Sequence, residues 1–310
     1  MNSNILLSLC IPTYKRMDSL ICSLESIVKQ DIFTNSNCIE VVISDNDPDS
    51  ELLSFLTEKY LIKYQGKIKY YKNDKNYEDY NFLLALSRAN GRFLKLSNDT
   101  LIYKKGMLDI LINFLKELEE DTFVFLMNDP KSKINIYDNA RDFLKDISYW
   151  VTWIGGFCIH RNYLTVYSNL NDLNYASHLS QVTTVVKILV RYNFNKYISF
   201  HYNFADTYFK SVSGNYNLIE VFSKNYICII NELKENNIFT SSDIKNEAFK
   251  VLRKHILPRF FNLHDNYFYD LDNFWENTSF YHKYPYFYFL ITKFYLKSKF
   301  YRMRQLFRTP

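Results

Sequence analysis

The chain has 310 residues, of which 47% are hydrophobic and 23% charged, with only six glycines. This composition excludes a low-complexity or collagen-like chain, and a net charge of +5 is by itself too small to indicate a nucleic-acid-binding protein. The five cysteines form no CxxC pair, which favours a reduced, cytoplasmic compartment. The first apolar run is too short for a signal peptide, and no apolar stretch reaches the roughly 18 residues that span a bilayer.

Apolar runs of strand length alternate with helical periodicities over the first 127 residues. Because strands separated by helices form parallel sheets with right-handed crossovers, the pattern predicts an α/β fold with a mostly parallel sheet flanked by helices. We expect one domain at 1–210 and a helical C-terminal region at 211–310. The predicted strands cover 5–11, 39–44, 67–71, 92–96 and 122–127, and the predicted helices cover 18–30 with Asp18 as N-cap, 50–61, 76–89 and 106–120.

Three short polar stretches follow predicted strands: Pro12–Arg16, Ser44–Asp49 and Ser97–Thr100. In open α/β sheets ligands bind beyond the carboxyl ends of the strands, so these stretches are the candidate site. The first strand is not followed by GxGxxG, which weakens a dinucleotide-binding interpretation. The chain also lacks GxxxxGK[ST], which excludes the phosphate-loop NTPases.

The order and spacing of four motifs resemble the family 2 glycosyltransferases of GT-A (Rossmann-like) fold. The motifs are "IPTYKR", "IEVVISDNDPDS", the Asn-rich stretch and helix "NDKNYEDYNFLLALSRANGRFLKL", and "FLKLSNDT". The resemblance covers about residues 5–128. Within the family, the short middle section resembles the abequosyltransferase-like branch, which acts on bacterial surface polysaccharides.

The resemblance implies that the first two strand ends bind the nucleotide. Pro12, Thr13 and Tyr14 would line the base, and Asp45 would accept a hydrogen bond from the base or ribose. Arg16 would contact the diphosphate, since a planar guanidinium matches phosphate geometry. Asp45 could instead be the acid of an Asx turn, and Arg16 could be a solvated charge in the first turn of a helix.

Asn76 and Asn81 match the polar stretch that the family places before its metal-binding motif, and they are further nucleotide-binding candidates. Asparagine is so frequent in this chain that a chance match is an alternative for both.

The stretch "SNDT" departs from the family pattern of two or three acids. Only Asp99 is kept, between Asn98 and Thr100, whose oxygens can coordinate but carry no charge. The resemblance implies a divalent cation, Mg²⁺ or Mn²⁺, held by the nucleotide phosphates and Asp99, with Asn98 beside the nucleotide. Two alternatives are a cationic side chain in place of the metal ion and loss of catalytic activity.

The general base is harder to place from the sequence. "WIGGFCIHR" resembles the family's glycine-paired strand beneath the acceptor site. About 20 residues later, where the family often carries a Glu-Asp pair, this chain has "NYASHLSQV". A neutral imidazole can act as a base near pH 7, so His178 is the candidate, with Asp172 and Asp206 as alternatives. A histidine that only packs on a helix face or binds the acceptor is the competing interpretation.

The last 34 residues contain no acid, and the segment from Tyr281 onward combines seven Lys or Arg with many Tyr and Phe residues. Such a basic aromatic segment is typical of a helix in the headgroup region of an anionic membrane. Single-stranded nucleic acid and an ordinary packed helix are the alternatives.

Together these patterns predict a bacterial glycosyltransferase that moves a sugar from a nucleotide-sugar donor to a lipid-linked saccharide acceptor in O-antigen or capsule synthesis, with inversion. We expect it in the cytoplasm, peripheral on the inner face of the cell membrane, with no nucleic-acid partner. The rival hypothesis is a catalytically degenerate nucleotide-sugar-binding or scaffold protein.

Overall fold

The computed structural model describes residues 5–167, 178–208, 214–261 and 269–306. The chain divides into two compact units, Met1–Ala176 with Thr183–Phe209, and Ser177–Val182 with Lys210–Pro310. The domains expected at 1–210 and 211–310 stay a prediction about organisation. The described strands are β1 Leu7–Thr13, β2 Ile39–Asp45, β3 Ile68–Lys72, β4 Phe93–Leu96, β5 Leu101–Tyr103, β6 Thr122–Met127, β7 Lys133–Tyr137, β8 Cys158–His160, β9 Lys196–His201, β10 Ala205–Thr207, β11 Gly214–Asn217 and β12 Tyr269–Asp270.

The helices of the first half alternate with the strands, as the sequence pattern predicts. Segments in π-helical geometry extend α3 through Thr57–Leu61, precede α8 at Glu220–Asn225 and follow α9 at Leu252–Ile256. The described α-helices are α1 Met17–Val28, α2 Asp31–Asn35, α3 Leu52–Leu56, α4 Asn81–Ser87, α5 Met107–Lys116, α6 Ala140–Ile147, α7 Ser180–Arg191, α8 Tyr226–Glu235, α9 Ser241–Val251, α10 Leu257–Phe260, α11 Phe274–Asn277 and α12 Pro285–Leu306.

The main sheet of the first unit has the strand order β3-β2-β1-β4-β8, in which β1 to β4 are parallel and β8 is antiparallel to β4. β1 and β2 are buried along almost their whole length, which explains their continuous apolar sequences. The predicted α/β class with a mostly parallel sheet flanked by helices is confirmed.

A second sheet of the first unit has the order β6-β9-β7, with β6 and β9 parallel. The strand predicted at 122–127 is therefore present, but it pairs with β9 and not within the main sheet. An antiparallel bridge joins Phe125 of β6 to Phe157, just before β8. Since β8 is antiparallel to β4, β6 runs in the direction of β4, and their carboxyl ends lie at the same edge.

Two glycines of the first unit are required by close approach of the chain. A Cβ at Gly91 would lie 2.7 Å from the backbone nitrogen of Ser8, and one at Gly156 would lie 2.5 Å from the carbonyl oxygen of Leu126. Nearby, Lys95 on β4 is fully buried and donates to the carbonyl oxygen of Gly155 at 2.8 Å. The paired glycines noted in the sequence thus allow the close packing of β4, β6 and β8.

The second unit is mostly helical. A capping box begins α9, in which Thr240 and Asp243 satisfy each other's backbone N–H groups. Phe287 on the buried side of α12 packs on the rings of Phe274 and Tyr281. In the part of the chain that the structure describes, no helix combines the length and apolarity needed to cross a membrane.

The starts of α1 and α4 differ from the sequence-based expectation in ways that affect the strand ends. α1 has Arg16 as its N-cap, without a side-chain cap, and Asp18 lies inside the first turn. α4 begins at Asn81, after a 3₁₀ turn at Glu78–Tyr80, and not at residue 76. Asn76 and Glu78 therefore lie before the helix, and both form hydrogen bonds with Asn46 at the strand ends.

Candidate active site at the carboxyl edge of the main sheet

The ends of β1, β2 and β4 meet at one edge of the main sheet. Thr13, the last residue of β1, is in register with Asp45, the last residue of β2. Beyond the end of β4, the backbone N–H of Ser97 donates to the carbonyl oxygen of Cys10 at 2.8 Å. The structure therefore brings together the three polar stretches that the sequence analysis selected.

Asp99 lies at the centre of this edge and is 1% exposed. Its Oδ2 accepts a hydrogen bond from Thr13 Oγ1 at 2.9 Å, and its Oδ1 pairs with Arg16 Nη1 at 3.4 Å. Burial raises the pKa of Asp99, against the opposing effects of Arg16 and of the Thr13 hydrogen bond. Asp99 therefore ties the loop after β4 to the end of β1.

The residues after β1 face the solvent. Tyr14 is exposed, Lys15 Nζ lies 5.3 Å from the centre of the Tyr14 ring, and the Arg16 side chain is 43% exposed. Pro12 is half-buried within β1. Lys15 adopts a positive φ of 53°, which turns the chain sharply between β1 and α1. This turn offers an aromatic ring and two cations next to the buried Asp99.

Asp45 is fully buried, and its carboxylate is already hydrogen-bonded. Tyr70 of β3 donates its hydroxyl to Asp45 Oδ2 at 2.7 Å, and the N–H of Asp47 donates to Oδ1 at 3.1 Å. Burial, together with the hydrogen bond to Asp45, raises the pKa of the Tyr70 phenol. Asp45 thus forms an Asx turn, the alternative interpretation, at the position where the resemblance places a nucleotide ligand.

Asn81 lies behind this edge and holds two strand ends together. Its Nδ2 donates to the carbonyl oxygens of Ser44 at 3.0 Å and Thr13 at 3.4 Å. Its Oδ1 accepts from Ser44 Oγ at 2.6 Å and from Asn73 Nδ2 at 2.9 Å. Asn81 is 4% exposed, so we infer that it positions the ends of β1 and β2 and does not touch a ligand directly.

Asn46 is a residue of this network that the sequence analysis missed. Its Oδ1 accepts from Asn73 Nδ2 at 3.1 Å and from the N–H of Tyr77 at 2.9 Å, while its Nδ2 donates to Asn76 Oδ1. Asn76 itself is exposed and also accepts from the N–H of Glu78. The position of Asn46 directly after Asp45, at the end of β2, could have indicated its role. Asparagine is so frequent in this chain that the position did not stand out.

Asn98 and Thr100 complete the loop after β4. Asn98 is half-buried, and its Oδ1 accepts from the N–H of Thr100 at 3.4 Å. After this loop β5 pairs antiparallel with β10, which ends at Thr207. Asp206 on β10 is exposed and pairs with Lys104 at 3.2 Å.

His178, the candidate base, belongs to the second unit. It is exposed, its φ is 54°, and its ring stacks on Tyr216 with 5.6 Å between the ring centres. Asp172, one of the two alternatives, lies outside the described residues. The assignment of the base stays a prediction.

A second polar cluster, which the sequence analysis did not identify, surrounds His201 at the carboxyl end of β9. The buried ring lies between two carboxylates, with Nδ1 at 2.9 Å from Asp129 Oδ2 and Nε2 at 3.1 Å from Asp146 Oδ2. Burial alone would raise the pKa of Asp146, but hydrogen bonds from Ser199, Asn135 and His201 lower it to about 2. The cluster joins α6 to the second sheet through these polar contacts.

The residues around Asp99 do not fit a divalent cation. Both carboxylate oxygens already hold protein donors, and one of these donors is the Arg16 guanidinium, which would repel a metal ion. Mg²⁺ and Mn²⁺ need several oxygen ligands with free lone pairs. Within the described ranges, no group of three or more His, Cys, Asp or Glu side chains is placed to hold a metal ion.

The arrangement defines a class: an α/β protein with a polar edge at the carboxyl ends of its parallel strands, where open α/β sheets bind ligands. The sequence profile of glycosyl transferase family 2 matches residues 8–172, which is more than half of the chain. The chain belongs to this family, and the resemblance inferred from its motifs is confirmed at that level. No curated protein sequence matches the chain.

Solved structures share the fold. The crystal structure of S. aureus TarS 1-349 aligns with a TM-score of 0.57 and 18% identity, over 83% of this chain and 78% of that one. TarS 1-349 in complex with UDP-GlcNAc aligns with a TM-score of 0.54 and 17% identity, over 81% of this chain and 72% of that one. The complex with UDP gives a TM-score of 0.53 at the same identity and coverage. The expected GT-A fold is therefore confirmed.

Proposed function

We propose that the protein is an inverting glycosyltransferase that moves a sugar from a nucleotide-sugar donor to a saccharide acceptor. The observation that carries this proposal is the meeting of three strand ends at one edge, where Arg16 faces solvent beside Thr13 and Asp99. Membership of glycosyl transferase family 2 supports the reaction class.

The turn after β1 would bind the nucleotide. Tyr14 offers an exposed ring for stacking against the base, and Arg16 offers N–H donors for the diphosphate. Pro12 and Asp45 would shape the base pocket, Asp45 accepting a hydrogen bond after a small movement of Tyr70. Asn98 would lie beside the phosphates.

The acceptor hydroxyl would attack the anomeric carbon from the face opposite the leaving group. A new C–O bond forms as the bond to the diphosphate breaks, and the electron pair stays on the diphosphate oxygen. The hydroxyl proton passes to a base, for which His178 is the proposed residue because its side chain is exposed and an imidazole nitrogen can act as a general base.

A thermal-stability screen with UDP, GDP, CDP and dTDP tests donor binding, and UDP comes first because the similar TarS structures contain UDP and UDP-GlcNAc. A ligand at about 100 times its dissociation constant adds roughly 2.7 kcal/mol. We expect one diphosphate to stabilise the protein and its sugar nucleotide to be transferred or slowly hydrolysed. Stabilisation without any turnover would instead support the nucleotide-sugar-binding scaffold hypothesis.

We further propose a place in bacterial surface-polysaccharide synthesis, O-antigen or capsule, with a lipid-linked saccharide as acceptor. This rests on the short middle section, which resembles the abequosyltransferase-like branch, and on the character of α12. Transfer to a short-chain lipid-linked saccharide, compared with the same saccharide without its lipid, measures the contribution of the lipid.

The solvent-facing side of α12 fits an anionic membrane surface on the cytoplasmic side of the cell membrane. Phe287, Leu290 and Phe294 are buried on one side of this helix. Phe289 and Leu296 lie on the other side, and each is more than half exposed. The segment 281–310, which includes α12, has seven basic and no acidic residues. An exposed apolar ribbon with basic flanks is typical of helices that lie in the headgroup region.

Flotation of the full chain with vesicles tests this surface. Phe289→Ser with Leu296→Ser should reduce binding to phosphatidylglycerol vesicles without loss of folding, because both side chains are exposed. Ile62→Ser is the matched control, since Ile62 is 71% exposed and lies in the first unit. Equal binding of wild type and double variant would contradict the proposal, as would equal binding to neutral and anionic vesicles.

A further inference from the structure

In the loop after β4, Asp99 is the acid that matches the family's metal-binding motif, and its side chain is buried. Asp99 is almost completely buried, and its two oxygens accept from Thr13 Oγ1 at 2.9 Å and from Arg16 Nη1 at 3.4 Å. A metal ligand must instead present a lone pair to an open site with room for other oxygens. The neighbours Asn98 and Thr100 add no negative charge.

Arg16 is placed to supply the missing positive charge. Asp99 holds one nitrogen of its guanidinium, while the side chain remains 43% exposed at the edge where the strand ends meet. A guanidinium has five N–H donors, so one bond to Asp99 leaves donors that can bind phosphate oxygens in a bidentate manner.

We propose that Arg16, positioned by Asp99, binds the donor diphosphate in place of a divalent cation, and that nucleotide binding by this protein is independent of metal ions. Asp99 is then a positioning residue, and Thr13 orients it. This inference rests on the proposed function, because it concerns the diphosphate of the same donor.

The test measures the dissociation constant of the nucleoside diphosphate selected by the screen, UDP first, in EDTA and in Mg²⁺ or Mn²⁺. We expect wild-type affinities that agree within about twofold in the two conditions. Arg16→Gln should weaken diphosphate binding by about 10- to 100-fold, as expected for a charge-assisted hydrogen bond. It should leave binding of the corresponding nucleoside unchanged, since the nucleoside has no phosphate.

Two further variants separate binding from folding. Arg16→Gln with Asp99→Asn removes both charges, so no buried carboxylate is left without its partner, and it should weaken diphosphate binding as much as Arg16→Gln alone. Lys29→Gln is the matched control, because Lys29 is an exposed cation beyond the other end of α1 and pairs with Glu25 at 3.3 Å. It should bind the diphosphate as the wild type does.

The outcomes distinguish this inference from the proposed function. If Mn²⁺ or Mg²⁺ tightens binding more than about tenfold and Asp99→Asn abolishes that gain, Asp99 is a metal ligand and the inference is wrong. The proposed glycosyltransferase function would survive that result. If none of the four diphosphates binds in any condition, the proposed function fails and the inference fails with it.

Discussion

Exchange of Asn81 for aspartate replaces one NH₂ group by oxygen and tests whether this side chain joins the strand ends. In the wild type Nδ2 donates to the carbonyl oxygens of Ser44 at 3.0 Å and Thr13 at 3.4 Å. In Asn81→Asp an anionic oxygen faces these carbonyl oxygens instead. The two hydrogen bonds from Ser44 Oγ and Asn73 Nδ2 to Oδ1 are retained.

The expected loss of stability follows from those contacts. Two neutral hydrogen bonds contribute about 1 kcal/mol each, and a buried oxygen facing carbonyls without a donor costs about another 1–3 kcal/mol. Arg88, whose Nη1 bonds to Ser44 Oγ at 2.8 Å, offsets part of the new charge. We therefore expect the free energy of unfolding to fall by about 3 kcal/mol.

Urea unfolding followed by tryptophan fluorescence measures the change, since Trp150 and Trp153 lie in the first unit. Asn76→Asp is the matched control, because the hydrogen bonds to the exposed Asn76 side chain from Asn46 and from the N–H of Glu78 go to its Oδ1, which aspartate retains. It should change stability by less than about 0.5 kcal/mol. Burial should raise the pKa of the carboxyl introduced at position 81 above its value in the unfolded chain. The difference in free energy of unfolding between the wild type and Asn81→Asp should therefore become smaller as the pH falls.

A loss of free energy of unfolding below about 0.5 kcal/mol in Asn81→Asp at pH 8 would refute this reasoning. So would an equal loss in the two variants. Either result would mean that the amide of Asn81 does not hold the ends of β1 and β2 together in solution.

Three further predictions concern packing and pH. Gly156→Ala should destabilise the protein by about 3 kcal/mol or more, because a Cβ would lie 2.5 Å from a backbone oxygen, whereas Gly66→Ala has nothing within 4 Å and should cost only about 1 kcal/mol for its positive φ. Calorimetry of both variants checks this, and similar losses would contradict it. Burial lowers the pKa of Lys95 to about 7. Between about pH 7 and about pH 10.4 the unfolded chain binds more protons than the folded chain. The wild-type free energy of unfolding should therefore rise by up to about 1.4 kcal/mol per pH unit, and Lys95→Met should lack this rise. Burial likewise lowers the pKa of His255 to about 3. Stability should therefore fall as the pH drops from about 6.5 towards 3, and a His255→Leu variant that showed the same acid dependence would disprove this.

Much of the first half of the fold could be predicted from the sequence. Runs such as 5–11 and 39–44 are apolar throughout because both faces of β1 and β2 are covered, and each run ends where polar residues begin. The carboxyl ends of parallel strands share an edge, so the selection of three polar stretches needed no coordinates.

The sequence predicted less about which side chains at that edge face a ligand. Asn81 looked like a ligand contact, but four hydrogen bonds turn it inward. Asn46 was not recognised among the many asparagines, although its side chain joins the loop after β2 to residues 73–78. Side-chain direction depends on neighbours that are distant in sequence, and single-sequence periodicity carries no information about them.

By itself, then, the sequence determined the alternation of strands and helices, the family and the location of the candidate site, because these depend on local hydrophobic patterns and short motifs. Only the tertiary structure decided that β6 pairs with β9 and that Asp99 pairs with Thr13 and Arg16. The partners of Asp99 are 86 and 83 residues away in the chain. Contacts over such distances form only when the sheet brings its strand ends together. Because a buried carboxylate needs hydrogen-bond donors or an opposite charge, Asp99 is then stabilised by the residues that the fold places beside it.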